Sequence, residues 1–277
     1  MRIVEKKLPA VFGRSILYPE NADLYNWQGL LLGGHLAGML EILSNMHDVD
    51  LSGVIVDVGA NYGLASVMAD VVLNPHRIDA FECNPGIFET LEKTMKTLNA
   101  PTTAYNFAAG GKNDKIKYWI PDDRSSLANG SFDMFGAKTG TCEGSDGSSN
   151  KSIEIDRRTL DSVYREENSR VSLIKIDVEG HEHEVLSGAI ETIERHRPVI
   201  IYEVLELRDH QQTHMQLWHE SGKTDNTVWK KLLAGHSAVL NEDKATQLLA
   251  GLGYSINYFP WSKCDVLAMP NTEFKAY

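Results

Sequence analysis

Cysteine is scarce in this chain: Cys83, Cys142 and Cys264 are odd in number, far apart and without a C-x-x-C pairing. That excludes a disulfide framework and a thiolate zinc site, and leaves reduced thiols as the default. Basic residues are also in deficit, 27 against 38 acidic, for a net charge of -11. A chain that wraps nucleic acid by neutralising phosphates carries the opposite balance, so no nucleic-acid partner is expected. No apolar run approaches the roughly 20 residues needed to span a bilayer. The N-terminal stretch Met1 to Gly13 has no secretory apolar segment with a small-residue cleavage site. The expectation is a soluble cytoplasmic protein without a membrane span. Internal repeats are absent too, and so is the G-x-G-x-x-G turn that seats a pyrophosphate on a helix N-terminus.

With 42% hydrophobic residues in 277, the chain can bury one sizeable core, so one main domain with an appendage is expected. Residues 1–50, with apolar residues at helical spacing over Leu30 to Met46, read as an N-terminal helical cap. From Val54 the texture becomes strand, tight turn, helix: a β-branched run Val54 to Val58, Gly59, and a helix over Ala65 to Leu73. The unit repeats with a strand at Ile78 to Glu82 and a helix at Ile87 to Leu98. Such alternation implies a parallel sheet covered on both faces. Thr103 to Phe107 reads as a third strand, and Ile116 to Ile120 as a strand pairing with Ser152 to Asp156.

Between that pair, residues 138–151 are rich in Gly, Ser and Thr and read as a mobile loop. Val171 to Ile176 is a fourth parallel strand, His181 to His196 a helix, and Pro198 to Glu203 a fifth strand. Residues 205–240 read as a helical insertion near the site. Ala245 to Gly251 is a helix, and Tyr254 to Tyr258 with Asp265 to Met269 a closing antiparallel pair. The main domain therefore runs 51–277 as an α/β Rossmann-like sheet.

Asp57-Val58-Gly59-Ala60-Asn61-Tyr62-Gly63 sits between the first strand and its helix, where open α/β sheets bind ligands and glycine lets the backbone approach them. Glu82, at the end of the second strand, can accept both hydroxyls of a ribose. NAD enzymes use the same device, but the turn here is G-x-N-x-G behind an Asp. That suits a cationic sulfonium with an α-amino group better than a pyrophosphate. The second cluster is Lys175-Ile176-Asp177-Val178-Glu179-Gly180-His181-Glu182, in which Asp177 ends the fourth strand beside the same crevice. Glu184 reads as a favourable acidic helix start. Carboxylates clustered near a strand end can hold Mg²⁺, and Asp177, Glu179 and Glu203 could do so. Oxygen ligands at this density also occur without metal, and no metal is expected. Arg157-Arg158 reads as a surface pair.

The series D-V-G-A-N-x-G, F-E-x-N-P, T-L-D and I-K-I-D-V-E-G-H-E, followed by V-L-x-G-A, resembles the FkbM family of methyltransferases over roughly Val54 to Glu203. The resemblance implies a seven-stranded class I methyltransferase fold, S-adenosylmethionine as donor, and O-methylation of a hydroxyl on a sugar, glycan or related small molecule. It assigns Asp57, Gly59, Asn61 and Gly63 to the cofactor turn, Glu82 to the ribose, and Asn106 and Ala108 to the neighbourhood of the adenine. Asp177, Glu179 and Glu182 would line the reaction chamber, with Asp177, Glu179 or His181 taking the hydroxyl proton. Cys83 departs from the family, which more often has Pro there. The rivals are an NAD(P)-dependent oxidoreductase, a non-catalytic nucleoside-binding module of the same fold, and an N-methyltransferase, whose N-P-P-[YF] tetrapeptide is missing. Assembly into a homo-oligomer is left open.

Overall fold

The computed structural model describes residues 3–7, 15–19, 40, 43–120, 131–132, 151–204, 207, 239–258 and 265–271. All of the loop 138–151 but Lys151, and all but Leu207, Val239 and Leu240 of the insertion 205–240, lie outside them. The chain opens with an antiparallel pair, Ile3–Lys7 (β1) and Ser15–Pro19 (β2), within the segment read as a helical cap. The β-branched and aromatic content of Ile3, Val4, Ile16 and Tyr18 fits that pairing. Of the helical stretch expected over Leu30 to Met46, Leu40, Leu43 and Ser44 are described as helix.

Val54–Val58 (β3) is buried along its whole length, as a β-branched run in a doubly covered sheet should be. Leu64–Leu73 (α1) follows, then Arg77–Phe81 (β4), Pro85–Met95 (α2) and Thr102–Tyr105 (β5). Asn84 starts α2 as its N-cap, accepting from the Gly86 amide at 3.0 Å, with Pro85 at the first helical position. Ala108–Ala109 (β6), Asp114–Ile120 (β7), Ser131–Phe132 (β8) and Lys151–Arg158 (β9) form a separate four-stranded sheet in the order β6-β9-β7-β8. Within it β7 and β9 pair antiparallel, Ile116 opposite Ile155, as read from sequence.

Leu160–Tyr164 (α3) leads to Val171–Ile176 (β10). The single helix expected over His181 to His196 is in fact two, Glu182–Ser187 (α4) and Ile190–His196 (α5). Packing causes the break. A Cβ on Gly188 would stand 2.1 Å from the Gly110 carbonyl oxygen, so the chain from the small sheet presses into the gap. The second helix is restarted by Asp161, which accepts from the Thr192 amide and hydroxyl, both at 2.8 Å, and from the Glu191 amide at 3.2 Å. Val199–Glu203 (β11), Lys244–Gly251 (α6), Tyr254–Tyr258 (β12) and Asp265–Pro270 (β13) are the remaining elements among the described residues.

The large sheet has seven strands in the order β12-β13-β11-β10-β3-β4-β5, with β13 antiparallel to both its neighbours and the other pairs parallel. The order reverses direction between β3 and β10, which makes the crevice at their carboxyl ends the place for a ligand. Side chains alternate between two cores. Ile55, Leu173, Ile201 and Leu267 pack with Leu64, Val67 and Leu91 on one face; Val56, Ile174, Ile200 and Val266 pack with Leu160, Leu186 and Ile193 on the other. At the amino end of β4, Arg77 grips the fully buried Asp79 through two 2.9 Å hydrogen bonds, and Tyr164 donates to the same carboxylate at 3.0 Å. No helix among the described residues is long and apolar enough to cross a membrane.

Candidate active site

Alternation along the strands puts Asp57 on the same sheet face as Ile55, and Lys175 on the same face as Leu173. Both lie at the carboxyl end of the sheet and are direct register partners across the β3–β10 pair. Asp57 is 1% exposed; its Oδ2 accepts from the Ser66 hydroxyl on α1 at 2.7 Å, and its Oδ1 lies 3.4 Å from Lys175 Nζ. The same Nζ lies 3.3 Å from Asp177 Oδ2 and donates to the Gly59 carbonyl at 3.2 Å. Burial pulls the lysine toward neutrality, but the Asp177 and Asp57 carboxylates outweigh it and hold the ammonium above its ordinary range.

The turn after β3 has no room for side chains. Gly59 has φ +73°, and a Cβ there would stand 1.9 Å from the Asp177 carbonyl oxygen, so the turn lies directly against the exit from β10. Asn61 follows in the left-handed region at φ 53°, an uncommon position for a residue with a Cβ. Its amide donates to Glu82 Oε2 at 3.0 Å, and the Asn84 amide donates to Glu82 Oε1 at 2.7 Å. Glu82 is thus aimed by the backbone of two loops. Burial pushes its carboxyl up to about 7, against the pull of the Asn84 and Asn61 amides and the Lys175 charge. Asn106 donates from Nδ2 to the Glu82 carbonyl at 2.8 Å, linking the end of β5 to that of β4, while Ala108 is buried in β6.

Across the crevice, the loop leaving β10 is strained at Glu179, φ 54°, and turns on Gly180, φ 96°. Glu182, 5% exposed, holds this loop: its Oε1 accepts from the Val178 amide at 3.1 Å and the Gly180 amide at 3.2 Å. Burial pushes its carboxyl up to about 7, with those backbone hydrogen bonds pulling it back. Asp177, Glu179 and Glu203 bring carboxylate oxygens within 4.8 Å of one another. Asp177 keeps 43% of its side chain exposed, whereas Glu203 is 6% exposed. His181 lines a separate shallow pocket with Arg157, Glu184, Ile116 and Ala108 to Gly110, on the side of the small sheet.

Arg157 differs from its reading as a surface residue. It is 6% exposed and clamps Asp114 with hydrogen bonds of 2.7 and 2.6 Å, because the antiparallel register places the two directly opposite. Three residues given no part in the site by the sequence reading help to hold it together. Ser66 and Lys175 fix Asp57, and Asp161 of T-L-D restarts the helix that follows the strained loop. For Lys175 the signal was the single charge in a largely apolar strand, two residues before Asp177.

The seven-stranded sheet, its reversed final hairpin and a glycine turn facing an acidic strand end define a Rossmann-like class I methyltransferase architecture. Residues 57–253 match the family profile of the FkbM methyltransferase domain, and the chain belongs to that family of S-adenosylmethionine-dependent methyltransferases. Among solved structures it is similar to methyltransferase FkbM from Methylobacillus flagellatus KT, at 17% identity and TM-score 0.42. That match covers 81% of this chain but only 45% of the length of the Methylobacillus protein. Fibrillarin of Aeropyrum pernix with bound S-adenosyl-L-methionine aligns at 10% identity and TM-score 0.41, covering 96% of this chain and 92% of that one. An O-methyltransferase from Bacillus cereus in complex with S-adenosylhomocysteine aligns at 11% identity and TM-score 0.39, covering 91% and 84%. No curated protein matches the chain.

Proposed function

We propose that the chain methylates a hydroxyl oxygen on a sugar, glycan or related small molecule in the cytoplasm. The observation that carries this reading is the convergence of the Asp177, Glu179 and Glu203 carboxylates at the strand ends beside the Gly59 turn. Methyl transfer is an in-line displacement dominated by positioning, and a hydroxyl must also lose its proton. Carboxylates clustered at the crevice supply hydrogen-bond acceptors for that proton.

The residues present suit the donor. Asp57 Oδ1 is buried and accepts no hydrogen bond, so it is available to an α-ammonium group. Glu82 has lone pairs beyond the two that its amide partners occupy, enough for two ribose hydroxyls. Gly59, Asn61 and Gly63 supply the close backbone, and we assign Asn106 and Ala108 to the adenine side. S-adenosylmethionine bound there supplies an electrophilic methyl on a sulfonium. Asp177, part exposed and next to the turn, is the group we assign to the acceptor proton, with Glu179 as the alternative, because His181 lines the separate pocket beside the small sheet. Glu182 acts one step back, keeping the 177–181 loop in shape through its two amide contacts. A metal is not part of this reading, because the Lys175 ammonium already lies 3.3 Å from Asp177. The net charge of -11 favours a small or glycan acceptor over a nucleic acid.

The test is methyl transfer from labelled S-adenosylmethionine to a panel of sugars and glycans, with amine-bearing and hydroxyl-blocked analogues alongside. Label entering only free hydroxyls, lost in Asp177→Asn while cofactor binding persists, is the expected result. Label entering amines, or hydroxyl-blocked acceptors working equally well, would sink O-methylation.

A further inference from the structure

One ammonium group joins the two walls of the crevice. Lys175 has 13% of its side chain exposed, and its Nζ meets the Gly59 carbonyl, Asp57 Oδ1 and Asp177 Oδ2 at 3.2, 3.4 and 3.3 Å. Burying a charge here is costly, and an apolar residue such as Leu173, its neighbour on the same face, would pack the strand without that cost. Neutralising Asp57 alone accounts for one of the three contacts. The other two reach the strained turn after β3 and the start of the strained loop after β10. Lys175 therefore sets the relative position of both.

Strand order says which part of the cofactor lies there. Glu82 stands at the end of β4, and Asn106 follows β5, so on this reading Glu82 would hold the ribose over β4, with Asn106 on the adenine side. Neighbouring strands are about 4.8 Å apart, which leaves the opposite, amino-acid end of the cofactor over the β3–β10 crevice. Asp57 Oδ1 accepts no hydrogen bond in its buried position, with the lysine at ion-pair distance only. Building on the methyltransferase reading, we propose that Lys175 is a positioning residue for the amino-acid end of S-adenosylmethionine. By fixing the Gly59 carbonyl and the Asp57 and Asp177 carboxylates, it shapes the receptor for the α-ammonium group and leaves adenosine recognition untouched.

Two ligands separate this role from a structural one: S-adenosylhomocysteine, and 5′-methylthioadenosine, which keeps the adenosine and sulfur but lacks the amino-acid end. By isothermal calorimetry, Lys175→Met should weaken S-adenosylhomocysteine about tenfold or more while 5′-methylthioadenosine changes by less than about twofold. Lys175→Arg should restore part of the loss. Should Lys175→Met misfold around the unpaired Asp57, the double variant Asp57→Asn with Lys175→Met, compared with Asp57→Asn alone, must show the same selective loss. Parallel weakening of both ligands, or no weakening of either, overturns the proposal while leaving the methyltransferase reading intact. A wild-type protein that bound neither ligand would remove the cofactor assignment itself, and this proposal with it.

Discussion

Lowering the pH from 8 to 6 should weaken binding of S-adenosylhomocysteine about tenfold, and the effect should reside in Glu82. Ribose hydroxyls donate, so the binding-competent form of Glu82 is the ionised one. Burial pushes this carboxyl up to about 7. With that midpoint, roughly nine-tenths of the protein is competent at pH 8 and roughly one-tenth at pH 6, and the apparent dissociation constant scales as the inverse of that fraction. Glu82→Gln removes the titration while keeping an acceptor for the Asn61 or Asn84 amide. It should bind roughly 10- to 100-fold more weakly than wild type at pH 8, the loss of charge-assisted hydrogen bonds, and should lose the Glu82 step. Glu182 is also pushed up to about 7, but its contacts are to the loop amides and it is intact in the variant, so subtracting the two profiles isolates Glu82. Calorimetry at half-unit steps from pH 5.5 to 8.5 is the assay. A profile with the same slope in wild type and Glu82→Gln would refute the reasoning, because the dependence would then come from another group.

Gly59→Ala should cost about 3 kcal/mol or more, since its Cβ meets the Asp177 carbonyl at 1.9 Å and the φ of +73° disfavours any side chain; a melting curve within a few degrees of wild type would contradict this. Asp161→Ala should cost about 1–2 kcal/mol by uncapping the second helix after the loop, lowering the melting temperature by a few degrees without changing cofactor affinity. Glu182→Gln should melt higher than wild type at pH 8 and by a smaller margin at pH 5. The folded-state value of Glu182 is raised, so the folded state favours the protonated form, and stability is lost as pH climbs from the ordinary carboxylate range through about 7. The amide oxygen can still accept from Val178 and Gly180, and an equal margin at both pH values would count against burial as the cause of the shift.

The large sheet was legible because its strands are short apolar runs separated by glycine and proline punctuation, and periodicity alone placed β3, β10 and the final hairpin within a residue or two of their observed bounds. What periodicity missed was decided at a distance. The helix read across His181 to His196 breaks at Gly188 because Gly110, 78 positions earlier in the chain, packs into the gap. The two-residue strand β6 carries too few alternations to separate from loop, while β1 and β2, as long as β3, were passed over because the helical spacing of Leu30 to Met46 gave the whole N-terminal segment its reading.

Site residues divide on the same line. Glu82 and the 59–63 turn were named as candidates because a carboxylate at a strand end and a glycine turn between strand and helix each have a local reason. Glu182 was named for the chamber wall, but its hold on the loop, like the contacts of Lys175, rests on geometry that spacing does not encode. A lysine in a strand ordinarily carries its charge to solvent, and it stays buried here because the pairing of β10 with β3 sets it opposite Asp57 while alternation sets it beside Asp177. A glutamate at a helix start ordinarily offsets the helix dipole. Glu182 instead turns back to the Val178 and Gly180 amides, because the left-handed residues Glu179 and Gly180 fold the loop over it. The strain at Asn61 and Glu179 and the buried charge of Lys175 are costs that packing alone would remove, and they meet around one crevice at the carboxyl ends of β3 and β10. That coincidence, rather than any single residue, is the physical reason to place the chemistry there.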